Sequence, residues 1–220
     1  MLRTALRSRQ LRGSATEAPM NRLRRIVLLR HGDTVGNSRE RFHGSGDVAL
    51  SDEGRDQVRA AGRRLATEVF DLVASSPLRR AWQSAVLLCG GSPVLLVPDF
   101  CEIDFGRWEG MTAEEIEAQD PVLYKTWREG AADFEFPGGE RRAAFRERVI
   151  EGLAALSHTG AENALVVAHR GVIRAIGNHL LGAPLATAPE LGEIVSFTRD
   201  GENWFLGRRG SNPPALGTAA

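Results

Sequence analysis

Two apolar runs of the 220-residue chain close on a histidine and a glycine: LLRHG at positions 28–32 and VVAHRG at positions 166–171. The first run sets the guanidinium of Arg30 beside the imidazole of His31. A fixed cation next to a titratable ring nitrogen suits phosphate chemistry. Guanidinium forks match phosphate oxygens in pairs, and a neutral imidazole has a lone pair able to attack phosphorus. Neighbouring cations disfavour the imidazolium and keep that lone pair free near neutral pH. One histidine at a strand end is more often structural than chemical. Two, delivered by different strands, point to a shared site, because ligands of open α/β sheets bind at the carboxyl ends of the strands.

The elements that must deliver them alternate short apolar runs with helical stretches, the pattern of an α/β protein with a mostly parallel sheet. RIVLLR (25–30) reads as the first strand. LSDEGRDQVRAAGRRLATEV (50–69) reads as a helix, with Ser51 as N-cap and two acids in its first turn. FDLVASS (70–76) reads as a strand, and Pro77 opens the helix LRRAWQSAVLLC (78–89), which Gly90-Gly91 ends. PVLLVP (93–98) is a short strand. Residues 100–139 have little periodicity and many aromatics, and read as a lid-like insertion folded over the sheet edge. ERRAAFRERVIEGLAALSH (140–158) is an amphipathic helix, ALVVAHRG (164–171) a buried strand and VIRAIGNHLLG (172–182) a helix. EIVSFTRDGENWFLGRR (193–209) forms a hairpin turning at Asp200-Gly201.

Composition narrows the class. Apolar residues make up 42% and charged residues 25%, ordinary for a globular domain. Formal net charge is zero, which argues against coating nucleic acid or an anionic membrane. No apolar stretch approaches the ~18 residues of a membrane span. The two cysteines, Cys89 and Cys101, make neither a metal knuckle nor a disulfide framework, and a reducing cytoplasm is the expected setting. Residues 1–24 are a basic leader holding Arg3, Arg7, Arg9, Arg12, Arg22 and Arg24 against one acid, Glu17. The preferred reading is a disordered tail, or sequence upstream of a start at Met20; an organelle transit peptide is the alternative. Residues 25–208 form one domain, and residues 209–220, rich in Gly, Pro and Ala, a disordered tail.

Six blocks in order resemble the histidine phosphatase superfamily, branch 1, which holds cofactor-dependent phosphoglycerate mutases, fructose-2,6-bisphosphatases and alpha-ribazole phosphatases. They are LLRHGDTVGN (28–37), ALSDEGRDQV (49–58), SSPLRRAWQSA (75–85), CEIDFGRWEGMT (101–112), FPGGE (136–140) and VVAHRGVIRA (166–175). The resemblance implies a three-layer α/β/α sandwich with a mixed sheet, one strand antiparallel. It makes His31 the nucleophile and His169 its companion histidine. Arg30, Arg80 and Asn37 then hold the phosphoryl group, and Glu102 donates the proton. Phosphoryl transfer is mostly positioning and neutralisation. Arg30 and Arg80 suit that work, and Glu102 can protonate the leaving alkoxide and later activate water. No metal or cofactor is called for. Arg79 reads as solvated, Asp104 as a weaker rival to Glu102, Trp108 and Phe105 as packing, and Glu140 as a first-turn residue after a PGG turn. His158 and His179 are given no role.

Where the blocks depart from the family pattern, the substrate is at issue. Arg170 stands where a small residue is usual, and His43 also departs. Both are expected to line the pocket mouth, bind substrate and favour a second anionic group. The stretch between Glu102 and His169 is short for a glycolytic mutase, so water should reach the phosphoenzyme. The expected activity is a phosphomonoester hydrolase, a histidine acid-type phosphatase acting without metal on a small phosphorylated metabolite. The alternatives are mutase-type transfer and a non-catalytic phospho-ligand binder. A homodimer is compatible with the sequence, which does not decide the oligomeric state.

Overall fold

In the structure, a computed structural model, residues 22–131 and 133–210 are described. The leader before position 22 and the tail after position 210 lie outside the described residues. Six strands form one sheet: β1 (Arg25–Arg30), β2 (Leu72–Ser75), β3 (Leu95–Leu96), β4 (Asn163–Ala168), β5 (Ile194–Asp200) and β6 (Asn203–Gly210). Their order is β3-β2-β4-β1-β5-β6. β3, β2, β4 and β1 run parallel, β5 runs antiparallel to β1, and β6 antiparallel to β5. β5 is therefore the one strand against the grain of this mixed sheet, as expected.

The side-chain period of two explains the layers. Ile26 and Leu28 of β1 enter one core with Ala164, Val166 and Phe197, while Val27 and Leu29 enter the other with Val73, Leu165 and Ile194. The first core is closed by α5 (Arg142–Ser157) and α6 (Arg170–Leu181), through Val149, Leu153, Val172 and Ile176. The second is closed by α1 (Asp52–Arg64) and α2 (Arg79–Cys89), through Val58, Ala61, Ala81 and Ala85. A strand buried on both faces reads as a continuous apolar run, which is what RIVLLR and ALVVA are.

Local signals hold at most ends. Ser51 Oγ accepts the Gly54 N–H, and Gly90 caps α2 in the left-handed region at φ 57°. Four differences are physical. α1 stops at Arg64 rather than running to Val69, because Leu65 turns into the second core. Pro77 lies ahead of α2, whose N-cap is Leu78, because the Ser76 hydroxyl takes the Leu78 N–H. The hairpin turns on Gly201-Glu202, one residue later than expected, since Asp200 pairs with Asn203. Arg209 and Gly210, expected in the tail, belong to β6, where Arg209 pairs with Glu193.

The segment 100–139 does not stand apart as a lid over the edge. It carries α3 (Ala113–Gln119) and α4 (Pro121–Arg128), and its aromatics continue the α5–α6 core. Trp108 has no exposed surface and packs against Tyr124, Trp127, Phe134 and Phe136, with its indole N–H on Asp120 Oδ2 at 2.8 Å. Trp108→Ala is expected to cost about 3–5 kcal/mol of stability. A urea midpoint unchanged by the substitution would show that the segment is not part of the cooperative core.

Candidate active site

The register of the parallel ladder builds the site. β1 and β4 pair with Arg30 opposite Ala168, so the next residues of the two strands are His31 and His169. The ladder continues one step further, His31 N–H donating to Ala168 O at 3.0 Å. The two rings lie edge to face with centroids 5.1 Å apart. β2 joins on the other side of β4, with Ser75 opposite Val167, and Ser76 N–H donates to Val167 O. Three neighbouring strand ends thus present Ser76, His169 and His31 in a row.

Each ring is held by one nitrogen. His31 Nδ1 lies 2.7 Å from Gly32 O, so it carries the proton and Nε2 keeps the lone pair. His169 Nε2 lies 2.8 Å from Ser76 Oγ. Both rings are buried, and their pKa values fall well below 6.5. Loss of hydration is the main cause for both, with the Arg80 charge next. Both imidazoles are therefore neutral at pH 7. Arg30 is lowered to about 10, first by burial and then by the Arg170 charge, and stays a cation.

Glu102 is buried between two N–H groups. Oε1 accepts from Ile103 N at 3.0 Å and Oε2 from Gly171 N, in the first turn of α6, at 2.9 Å. Glycine at 171 leaves room for the Glu102 carboxylate, which a Cβ there would displace. The backbone ahead of Glu102 is clamped by Arg148 of α5. Its Nη1 donates to Asp99 O and Cys101 O, each at 2.8 Å, and Nη2 to Glu102 O at 3.1 Å. Glu140 holds the same guanidinium with both oxygens, at 2.7 and 2.8 Å. Glu140 is thus an ion-pair partner and not merely a first-turn acid. Arg148 escaped the sequence reading, although a charge inside the Phe145–Val149–Gly152 apolar stripe signals a buried partner.

Arg80 is placed differently from expectation. It has no exposed surface, and its terminal nitrogens donate to backbone: Nη1 to Gly46 O at 2.7 Å, Nη2 to Gly44 O at 2.6 Å and His43 O at 3.0 Å. Both terminal nitrogens are engaged with the loop, and Nε is the one nitrogen without a partner. Glu109 grips the other side of that loop, accepting the N–H groups of Gly44, Ser45 and Gly46. Asn37, in the left-handed region at φ 60°, turns its amide to Glu40 at 2.8 Å and does not line the cavity. His43 lines the cavity, but its Nε2 is engaged with Gly36 O. Arg170 lines the cavity and is exposed, while Arg79 is a solvated residue, as read.

The cavity, about 660 Å³, has Arg30, His31, Glu102 and Arg170 among its lining residues. That volume suits a small organic ligand. Four buried side-chain polar atoms among the described residues lack a hydrogen-bond partner, and three belong to this cluster: Arg30 Nε, Arg80 Nε and His169 Nδ1. A buried donor left unmade costs about 1–3 kcal/mol. The single Ser76 hydroxyl proton faces both His169 Nε2 at 2.8 Å and Cys101 Sγ at 4.0 Å; given to the nearer His169, it leaves His169 Nδ1–H as a third donor. Of the three residues Arg30 lines the cavity, while Arg80 and His169 have no exposed surface; donors of this kind beside a neutral imidazole are complementary to a phosphoryl group.

A family model described as histidine phosphatase superfamily (branch 1) matches residues 26–210. The chain therefore belongs to that superfamily. It is 39% identical over 181 residues to a glucosyl-3-phosphoglycerate phosphatase of Mycolicibacterium vanbaalenii, covering 78% of this chain and 80% of that protein. Among solved structures it is similar to a mycobacterial glucosyl-3-phosphoglycerate phosphatase in complex with VO3. The TM-score is 0.74 and the identity 32%, over 84% of this chain and 97% of that one. The alpha-ribazole phosphatase of Shigella flexneri gives a TM-score of 0.77 and 28% identity, over 85% and 96%.

The neutral rings make stability depend on pH. Below about pH 6.5 the unfolded chain protonates both histidines and the folded one does not, so stability falls as pH drops through that value. The slope is up to about 1.4 kcal/mol per pH unit for each ring. Denaturant titrations between pH 7.5 and 5.5 that show equal pH dependence for the wild type and His169→Asn would contradict a buried neutral His169. Arg148→Gln is expected to lower kcat about 100-fold through misplacement of Glu102, with KM little changed. An effect on KM alone would assign Arg148 to substrate binding instead.

Proposed function

We propose that the protein is a phosphomonoesterase for small phosphorylated metabolites, working by double displacement through a phosphohistidine on His31. What carries this reading is a neutral His31 with Nδ1 pinned to Gly32 O, on a cavity wall shared with Arg30 and Glu102. In the first step the Nε2 lone pair forms a bond to phosphorus as the ester P–O bond breaks. Glu102 gives its proton to the departing alkoxide. In the second step water attacks the phosphohistidine and gives a proton to the Glu102 carboxylate. The P–N bond breaks, freeing inorganic phosphate and restoring His31.

Arg30, the Nε of Arg80 and the Nδ1–H of His169 neutralise the equatorial oxygens in this scheme, where charge accumulates. Asn37 could reach the phosphoryl group only after leaving Glu40, and His43 only through a nitrogen now engaged with Gly36. Neutralisation by fixed protein donors makes the reaction independent of divalent metal. The similarity to phosphatases acting on a glucosyl phosphoglycerate and on alpha-ribazole phosphate supports hydrolysis over mutase transfer, and supports a sugar-bearing ester as substrate. The free thiols of Cys89 and Cys101 fit a cytoplasmic setting.

Purified protein is expected to hydrolyse p-nitrophenyl phosphate in the presence of EDTA. His31→Ala should abolish turnover, together with an acid-labile, base-stable ³²P label on the wild type. Glu102→Gln should lower kcat roughly 10²–10⁴-fold. Retained labelling in His31→Ala would sink the assignment of the nucleophile.

A further inference from the structure

One wall of the cavity is not needed to hydrolyse a simple monoester. α6 begins directly after His169, and Arg170, Arg174 and Asn178 recur along it at intervals of four and line the cavity. Residues four apart share a helix face, and each such step advances about 6 Å along the axis. α5 packs against α6 and adds Arg142 and Arg146, again four apart, to the same cavity. Burial, then the charges of Arg146 and Arg174, hold the Arg142 guanidinium below its usual pKa, so these cations feel one another.

Like charges four apart on a helix repel and cost stability. Two other arginines of the cavity are matched by acids: Arg39 pairs with Glu53 at 2.6 Å and Arg41 with Glu115 at 3.0 Å. Among the described residues no carboxylate pairs with Arg170 or Arg174. A solvated basic face would leave such side chains scattered. Here they follow His169 at intervals of four on one helix and line one cavity.

We infer that Arg170 and Arg174 form a second anion site for a carboxylate or phosphate group carried by the same substrate, to which Arg142, whose nitrogens donate to Ala131 O and Trp127 O, adds only its charge. It starts at Arg170, next to His169, and reaches to Arg174, one helical turn or about 6 Å further along α6. The substrate class is then a small organic phosphate with a remote second anionic group. This rests on the phosphomonoesterase reading and adds a determinant of specificity to it. His43, the other residue expected to favour a second charge, has its ring nitrogen engaged with Gly36 and is not part of the site.

The test uses two series of phosphate esters of graded spacer length, α,ω-alkanediol bisphosphates and ω-phosphoalkanoates, against alkyl monophosphates of equal length. For the wild-type protein kcat/KM should favour the doubly anionic esters at least tenfold, the size of one charge-assisted contact. The gain should sit in KM and peak at an intermediate spacer. Arg174→Gln should bring the ratio close to one, and Arg174→Lys should restore part of it. Preference for phosphate or for carboxylate ends identifies the group bound, and either supports the site. A wild-type ratio near one, or a ratio that survives Arg174→Gln, overturns it. If no ester is turned over, the phosphomonoesterase reading fails. Calorimetric titration of wild type and Arg174→Gln with the bisphosphates then decides the anion site separately, and equal affinity for the two proteins rejects it.

Discussion

The site exists because β1 and β4 are parallel and in register at their carboxyl ends. Arg30 stands opposite Ala168, so the residue after each strand is a histidine and the two rings meet. A slip of one residue in either strand would turn its whole alternating set of side chains to the other face. That slip is prevented by two cores at once, because Ile26 and Leu28 belong to one and Val27 and Leu29 to the other. The same hydrophobic pattern that makes the sheet therefore fixes the chemistry. β2 extends the arrangement by one strand and brings Ser76 to His169.

Around that edge the charged side chains mostly hold backbone. Arg80 ties down three carbonyls of the loop at 43–46 and Glu109 three of its N–H groups. Arg148 ties down the carbonyls of Asp99, Cys101 and Glu102, and Arg30 donates to Pro189 O. Loops without regular structure leave backbone groups that must find partners when buried. A guanidinium supplies five donors in one rigid plane and can satisfy several carbonyls together. The result is a site whose reacting groups sit on loops yet are held as firmly as on strands.

This explains what could be read from the chain and what could not. The strands and the flanking helices rest on local features, apolar runs and caps, whereas one antiparallel strand and the roles suggested for His31, Glu102 and His169 are what the resemblance of six short blocks to the family implies. The motif at 75–85 marks Arg80 as important, but nothing local tells that its terminal nitrogens face the loop and not the cavity. Asn37 shows the same limit. Its partner Glu40 and its left-handed backbone are settled by the turn it occupies. Arg148 and Glu140 are eight residues apart, a spacing that does not announce a pair, and Glu102, whose carbonyl Arg148 holds, is 46 residues away. The aromatic segment looked like a lid because its period is irregular. Its core function appears only when Trp108, Phe134 and Phe136 meet the α5–α6 face.

A chain with no net charge nevertheless concentrates cations here, and the consequence is physical. Eight arginines and two glutamates line the cavity. Guanidiniums keep their charge when partly dehydrated, as Arg30 does at about 10, whereas imidazoles beside them give theirs up. The surroundings that would repel a protonated histidine are those that attract a phosphate dianion. In the proposed reaction one field keeps His31 neutral, draws the substrate in and stabilises the charge that develops on phosphorus. Balancing acids elsewhere on the surface, among them Glu53 with Arg39 and Glu115 with Arg41, hold the net charge at zero without entering the cavity. The positive field is therefore local, short in range at physiological salt, and directed at a ligand small enough to enter.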